Sequence, residues 1–296
     1  MTHLNLCNVC AANCPEKALA LSQALNLGLI DALPHKKTWG EQMILSWMPD
    51  KKNREKANGN TTKKEHEQAD KPLNKAQTDF ILALLSADSG PVSVDFMSGK
   101  KNHRRQFGGG KGQPLARAIG MQQATPPRIL DATAGMGNDA FVLATLGCNV
   151  LMIERSPIVC ALLNDALVRA NNHANIDPDI AKIMQRLSLV NADSTHYLRT
   201  EKPNVDVIYM DPMYPEKKHK ASAKKEMKAL QNLLGADMDS AKLLDAALKI
   251  AKQRVVVKRP AKAPTIDGIQ PNAVINSPNT RYDIYSIKAL KAGGFI

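Results

Sequence analysis

Two short segments of this 296-residue chain carry side chains whose types and spacing can do chemistry. One is Asp211-Pro212-Met213-Tyr214-Pro215. Proline after the acid fixes the backbone and leaves carbonyls without a local donor. The Asp211 carboxylate and the Pro212 carbonyl can then accept both N–H groups of an exocyclic amine on a base, while the Tyr214 ring stacks on the base face. A Pro-rich turn closing a strand is the plainer alternative. The other segment is Asp131-Ala-Thr-Ala-Gly135-Met-Gly137-Asn138-Asp139. Its glycines permit a tight turn and let a ligand approach the backbone closely. No Gly-Lys-Ser/Thr follows, so it is not a P-loop, and it lacks the third glycine of the dinucleotide fingerprint. An acid directly before the turn repels a phosphate and welcomes a cationic or amino-acid-bearing ligand.

Strands must aim these segments. Residues 128–131, 149–153, 187–190, 205–210 and 254–257 read as short apolar strands. The first four end in or near an acid: Asp131, Glu154, Asp193 and Asp211. Helical patterns at 139–146, 157–170 and 241–251 alternate with them, and 273–276 with 281–286 reads as a closing hairpin. Alternation of this kind predicts an α/β fold, a mostly parallel sheet covered on both faces. Ligands of such sheets bind outside the carboxyl ends of the strands. Glu154 is placed there to accept hydrogen bonds from two ribose hydroxyls. S-adenosylmethionine, with its sulfonium, its ammonium and its ribose, suits the set.

Upstream the chain reads differently. Helical patterns are expected at 16–27, 41–47 and 73–86, and a short strand at 92–96. Residues 51–71 mix charges of both signs with no apolar periodicity, which predicts a solvated, disordered insertion. Cys7, Cys10 and Cys14 have metal-like spacing, but three ligands are too few for a closed structural zinc. Reduced cysteines and no bound metal are expected, with Cys148 and Cys160 in the core. The organisation expected is an N-terminal region at 1–90, a basic Gly-rich segment at 91–127 and the α/β domain at 128–296.

The chain carries 40 Lys+Arg against 28 Asp+Glu, a net charge of +12, which points to an anionic partner, most simply nucleic acid. Lys100, Lys101, His103, Arg104, Arg105 and Lys111 flank Gly108–Gly110; Lys217, Lys218, Lys220, Lys224 and Lys225 follow the acid-proline motif; Lys258 and Arg259 end the fifth strand. Such clusters would ring one pocket mouth and supply counterion-release affinity. Aromatic residues make up only 4% of the chain, so one flipped base fits better than an extended stacking platform. No apolar run reaches the roughly 18 residues of a membrane span, and no secretory signal opens the chain, so a cytoplasmic protein with no membrane partner is expected.

The motifs resemble those of a class I, S-adenosylmethionine-dependent methyltransferase. Asp211-Pro-Met-Tyr resembles the D/N-P-P-Y/F of enzymes that methylate exocyclic amines, with Met213 where the second proline usually stands. Residues 94–112, 131–137, 211–215, 224–227 and 255–260, taken in order, are similar to the ribosomal small-subunit methyltransferase J family. Members methylate N2 of one guanine near the 3′ end of 16S rRNA. The resemblance implies a Rossmann-like fold with a seven-stranded, mostly parallel sheet, and 16S rRNA or the small ribosomal subunit as partner. It implies donor contacts at Asn138, Asp139, Glu154, Arg155, Asp193, Ser194 and Asp211. The first 90 residues depart from the pattern. Two other classes stay open: a methyltransferase for another amine, such as adenine N6 or a protein glutamine, and a non-catalytic RNA-binding ribosome-assembly protein.

Overall fold

The computed structural model describes residues 7–35, 38–39, 42–49, 80–87, 90–97, 110–122, 125–174, 177–213 and 239–294. Two compact units divide at Val94/Asp95. In the first, β1 (Cys7–Cys10) is followed by α1 (Pro15–Leu25), β2 (Gly28–Ile30), β3 (Met43–Pro49) and β4 (Phe80–Ser86), in sheet order β2-β1-β3-β4. β1 runs parallel to β2 and β3, and β3 runs antiparallel to β4. The helical pattern at 16–27 is α1, which starts with a proline in its first turn and stops at left-handed Asn26.

Two helical expectations are corrected in this unit. Residues 43–49 form a strand, and so does the described part of 73–86. Both are nearly continuous apolar runs, whose periodicity alone cannot separate a buried strand from a buried helix. Pairing decides: Leu45 faces Leu84 and Trp47 faces Leu82 across the ladder. Residues 92–96 make no full strand, only a bridge from Val92 to Leu84. The insertion expected at 51–71 lies outside the described residues. Cys7 and Cys10 are buried in β1, and burial pushes the Cys7 thiol up to about 12. Among the described residues no three His, Cys, Asp or Glu gather to hold a metal, and no helix is long and apolar enough to cross a membrane.

The second unit contains α2 (Pro114–Ile119), β5 (Ile129–Asp131), α3 (Asn138–Thr145), β6 (Val150–Glu154), α4 (Pro157–Ala174), α5 (Pro178–Met184), β7 (Leu187–Asn191), α6 (Ser194–Glu201), β8 (Val207–Met210), α7 (Ser240–Ile250), β9 (Arg254–Pro260), β10 (Ala273–Asn276), β11 (Thr280–Ser286) and α8 (Ile287–Ala292). The sheet order is β10-β11-β9-β8-β5-β6-β7. β7 through β9 pair in parallel, and the β10–β11 hairpin closes the edge antiparallel.

Side-chain alternation sends Leu130, Ile208, Met210, Val255 and Val257 into one core, shared with Leu198 of α6, Leu244 and Leu248 of α7 and Leu290 of α8. Ile129, Val207, Tyr209 and Val256 point to the opposite face and are equally buried. Both faces of the central strands are thus covered, which is why they read as apolar runs. In α4 the buried Val159, Leu163, Ala166 and Ala170 recur at helical spacing. Strand order reverses direction between β5 and β8, the kind of switch point outside whose carboxyl ends such sheets bind their ligands.

Candidate functional site

The loop leaving β5 is tied to both neighbouring strands. Ala132 N–H donates to the Tyr209 carbonyl at 2.9 Å, and Ala134 N–H to the Ile153 carbonyl at 3.1 Å. Asp131 is buried, and its Oδ1 accepts the Thr133 N–H at 3.1 Å. Burial, then the nearby carboxylates of Asp139, Asp211 and Glu154, push its carboxyl from 3.8 up to about 8, outweighing the Thr133 hydrogen bond. Glu154 ends β6 beside it. Its Oε2 accepts the Gly135 N–H at 2.9 Å and its Oε1 the Ser156 N–H at 2.7 Å. Gly135 and Gly137 have φ of 52° and 66°, in the left-handed region that disfavours side chains. A Cβ at Gly137 would meet Leu163 Cδ1 at 2.8 Å and Phe96 Cζ at 3.1 Å, whereas one at Gly135 would meet only the Thr133 carbonyl, at 3.9 Å. So Gly137 serves packing, next to the stacked rings of Phe96 and Phe141, and Gly135 leaves its side of the loop open.

The other residues read as donor contacts spread around this loop. Asn138 and Asp139 open α3. Asp193 caps α6 by accepting the His196 N–H at 2.8 Å, and the buried Ser194 hydroxyl donates to the Ala132 carbonyl at 2.6 Å. Arg155 is exposed, and its guanidinium lies 3.3 Å from Asp239.

On the other side of the switch point, register builds a charge cluster. Met210 of β8 pairs with Val257 of β9, so the next residues, Asp211 and Lys258, lie side by side. Both follow a residue of the opposite core, and alternation turns them to the face of Tyr209. There Lys258 Nζ donates to Asp211 Oδ2 at 2.8 Å and to Asp139 Oδ2 at 2.9 Å, and the Tyr209 hydroxyl donates to Asp139 Oδ2 at 2.6 Å. Burial works against the Lys258 charge, but Asp211 and Asp139 outweigh it and hold the ammonium above the ordinary lysine range. The Asp211 N–H donates to Thr133 Oγ1 at 2.6 Å. Pro212 is buried behind it, and Tyr214 lies outside the described residues.

The basic set expected at a pocket mouth is redistributed. Lys111 is exposed in a short turn at Gly110–Gly112. Lys258 points into the acid cluster. Arg259 is buried at 5% exposure and donates to the Pro264 carbonyl at 2.8 Å, so it braces the chain after β9 and presents no charge to solvent. Arg104, Arg105, Lys217 and Lys218 lie outside the described residues, as do Lys100, Lys101, His103, Lys220, Lys224 and Lys225. Thr133 and Tyr209 were not singled out from the sequence. Tyr209 stands two residues before Asp211, a spacing that shares a strand face, but its partner Asp139 lies 70 residues away.

The strand order, the glycine turn after β5 and the acids ending β5 and β6 define a class I methyltransferase, a user of S-adenosylmethionine. A family model described as "Putative SAM-dependent methyltransferase" matches residues 60–287. The Ribosomal RNA small subunit methyltransferase J of Hydrogenovibrio crunogenus is 57% identical over 280 residues, covering 95% of this chain and 94% of the relative. The protein of that name from Pseudomonas aeruginosa is 50% identical over 213 residues, covering 71% and 79%. A crystal structure of a SAM-dependent methyltransferase from Neisseria gonorrhoeae superposes with a TM-score of 0.65 at 26% identity, covering 97% of this chain and 98% of that one. The chain belongs to the ribosomal RNA small subunit methyltransferase J family.

Proposed function

We propose that this chain transfers a methyl group from S-adenosylmethionine to the exocyclic N2 of a guanine in small-subunit (16S) rRNA. The observation that carries the reading is Asp211: it stands at the carboxyl end of β8, at the switch point, with its amide held by Thr133 and its carboxylate by Lys258. The relatives' name supports rRNA as substrate, and the net charge of +12 supports an anionic one.

The residues present fit the donor. Carboxylate oxygens can each accept more than one hydrogen bond. Glu154 therefore retains acceptor capacity for ribose hydroxyls while holding Gly135 and Ser156. The open side of Gly135 lets a ligand lie against the backbone. Buried acids beside it favour a cation. Bound S-adenosylmethionine supplies a methyl group made electrophilic by its sulfonium. Asp211 and the Pro212 carbonyl accept the two N2 hydrogens and turn the nitrogen toward that methyl. The N2 lone pair is delocalised into the ring, so alignment matters more than a strong base, and alignment supplies on the order of 7–11 kcal/mol. The proton that N2 releases leaves by way of Asp211. Tyr214 stacks on the flipped base, and Lys111, with Arg104, Arg105, Lys217 and Lys218, holds phosphates.

The test offers labelled donor to deproteinised small-subunit rRNA, assembled small subunits, DNA and protein, and identifies the methylated product. N2-methylguanine from rRNA or subunits is the expected result. N6-methyladenine, methylglutamine, or no transfer to any of the four overturns the proposal. Asp211→Ala is expected to abolish single-turnover transfer at saturating RNA while RNA binding changes little, because the contact to the amine strengthens in the transition state.

A further inference from the structure

We infer that Lys258 is a positioning residue for methyl transfer, bridging Asp211 to Asp139 so that the Asp211 carboxylate stays ionised and aimed at the incoming amine. The inference rests on the reading of Asp211 just given and assigns a role to a lysine that sequence alone placed at an RNA-facing rim.

Three features of the site support this role. Four carboxylates converge on the carboxyl edge of the sheet: Asp131 from β5, Glu154 from β6, Asp139 from α3 and Asp211 after β8. Asp139, Asp211 and Glu154 each act on the Asp131 carboxyl. Like charges near one another favour protonation of one of them. An ammonium at 2.8 Å from Asp211, shared with Asp139 at 2.9 Å, opposes that at Asp211. Tyr209, also on this face, donates to Asp139 and adds no negative charge while its phenol is protonated. Burial and the three acids Asp139, Asp211 and Asp131 hold that phenol well above its ordinary value.

Second, a protonated Asp211 would offer the base a donor where an acceptor is needed, and one N2 hydrogen would lose its partner. Third, Lys258 is badly placed to meet phosphate. Its side chain is 23% exposed, and its Nζ is already shared between two carboxylates. Its position is fixed by the parallel register of β8 and β9 rather than by a flexible rim.

The experiment compares the full-length wild type with Lys258→Gln, which removes the charge, and Lys258→Arg, which keeps it. Single-turnover transfer to small-subunit rRNA is measured at saturating RNA from pH 6 to 9, with KM for RNA alongside. Lys258→Gln is expected to lose about 100-fold in rate at neutral pH, the scale of a misplaced reacting group, to recover as pH rises, and to leave KM unchanged. Lys258→Arg is expected to stay within a few-fold with the wild-type pH profile. A raised KM with a normal saturating rate makes Lys258 a phosphate contact and overturns the inference. A loss equal at every pH and shared by Lys258→Arg makes it a packing residue and overturns it too. A second measurement needs no substrate: the side-chain carboxyl carbon of Asp211, assigned with Asp211→Asn, is titrated by NMR. It is expected to titrate at higher pH in Lys258→Gln than in the wild type, and an unmoved titration sinks the inference even where the variant transfers poorly. A moved titration in a protein that methylates no rRNA leaves Lys258 in place and removes the substrate reading instead.

Discussion

The hydroxyl of Thr133 accepts the amide proton of Asp211 at 2.6 Å, so the glycine loop after β5 and the acid-proline segment after β8 are fastened to each other. The loop that faces the donor thereby sets where the amine-gripping carboxylate begins. Thr133→Val keeps the shape of the side chain and removes the acceptor, leaving a half-buried N–H unsatisfied at a cost of about 1–3 kcal/mol. The expected outcome is a modest fall in melting temperature with a larger fall in kcat, about 10- to 100-fold, because small displacements of reacting groups are amplified. Thr133→Ser is expected to restore most of the rate. Equal rates for Thr133→Val and the wild type would show that the fastening is irrelevant to transfer.

Glu154 has a double task, and its replacement should show both. Its oxygens hold the N–H groups of Gly135 and Ser156, and the proposed site asks them for two ribose hydroxyls as well. Glu154→Ala is expected to weaken S-adenosylmethionine binding by about 1.5–3 kcal/mol, the range for hydrogen bonds to a charged group, which is tenfold or more in Kd. Isothermal titration checks it, and unchanged affinity would remove Glu154 from the donor site.

How much of this was legible depends on the reach of each signal. Most strands from β5 to β9 are short apolar runs, and the strands from 129–131 to 280–286 fall within two residues of the sequence reading, except β9, which runs three residues past the expected 257 to Pro260. The N-terminal strands 43–49 and 80–86 misled it because they are rich in Leu, Met and Ala, and cross-strand partners overrode local preference. Acids at strand ends stood out because strand and acid are adjacent in sequence. The roles of Lys258 and Arg259 were not legible, because the partners that define them are a strand neighbour, a helix start and a carbonyl beyond the strand. A charge next to a motif looks the same in sequence whether it faces solvent or an acid.

The two glycines of the turn make separable predictions. Both have positive φ, which costs a residue with a Cβ about 1–2 kcal/mol. At Gly137 the added methyl would also press on Leu163 and Phe96. Gly137→Ala is therefore expected to lower the melting temperature more than Gly135→Ala does. Gly135→Ala, whose methyl enters open space beside Glu154, is expected to weaken donor binding more than it weakens the fold. The reverse order in paired melting and titration experiments would move the donor to the other side of the loop.

Asp131 ties stability and donor binding to pH. Unfolded, its carboxyl has the ordinary value of 3.8; folded, burial and the neighbouring acids raise it to about 8. Between those values the folded chain holds a proton that the unfolded chain has released, so stability from this group falls as pH rises. It is fully present below about 4 and gone once pH has passed through about 8. Asp131→Asn has no such proton to lose. Its stability relative to the wild type is therefore expected to increase from pH 5 to about pH 8 and to level off above that in denaturant titrations. The donor's cationic sulfonium favours the ionised carboxylate, so below pH 8 its binding should expel a proton. Calorimetry in two buffers of different ionisation enthalpy reads that proton directly, and S-adenosylhomocysteine, with a neutral sulfur, is expected to release fewer. Proton release identical for the two ligands, or unaltered in Asp131→Asn, would place the sulfonium away from Asp131 and reassign this acid to the fold alone.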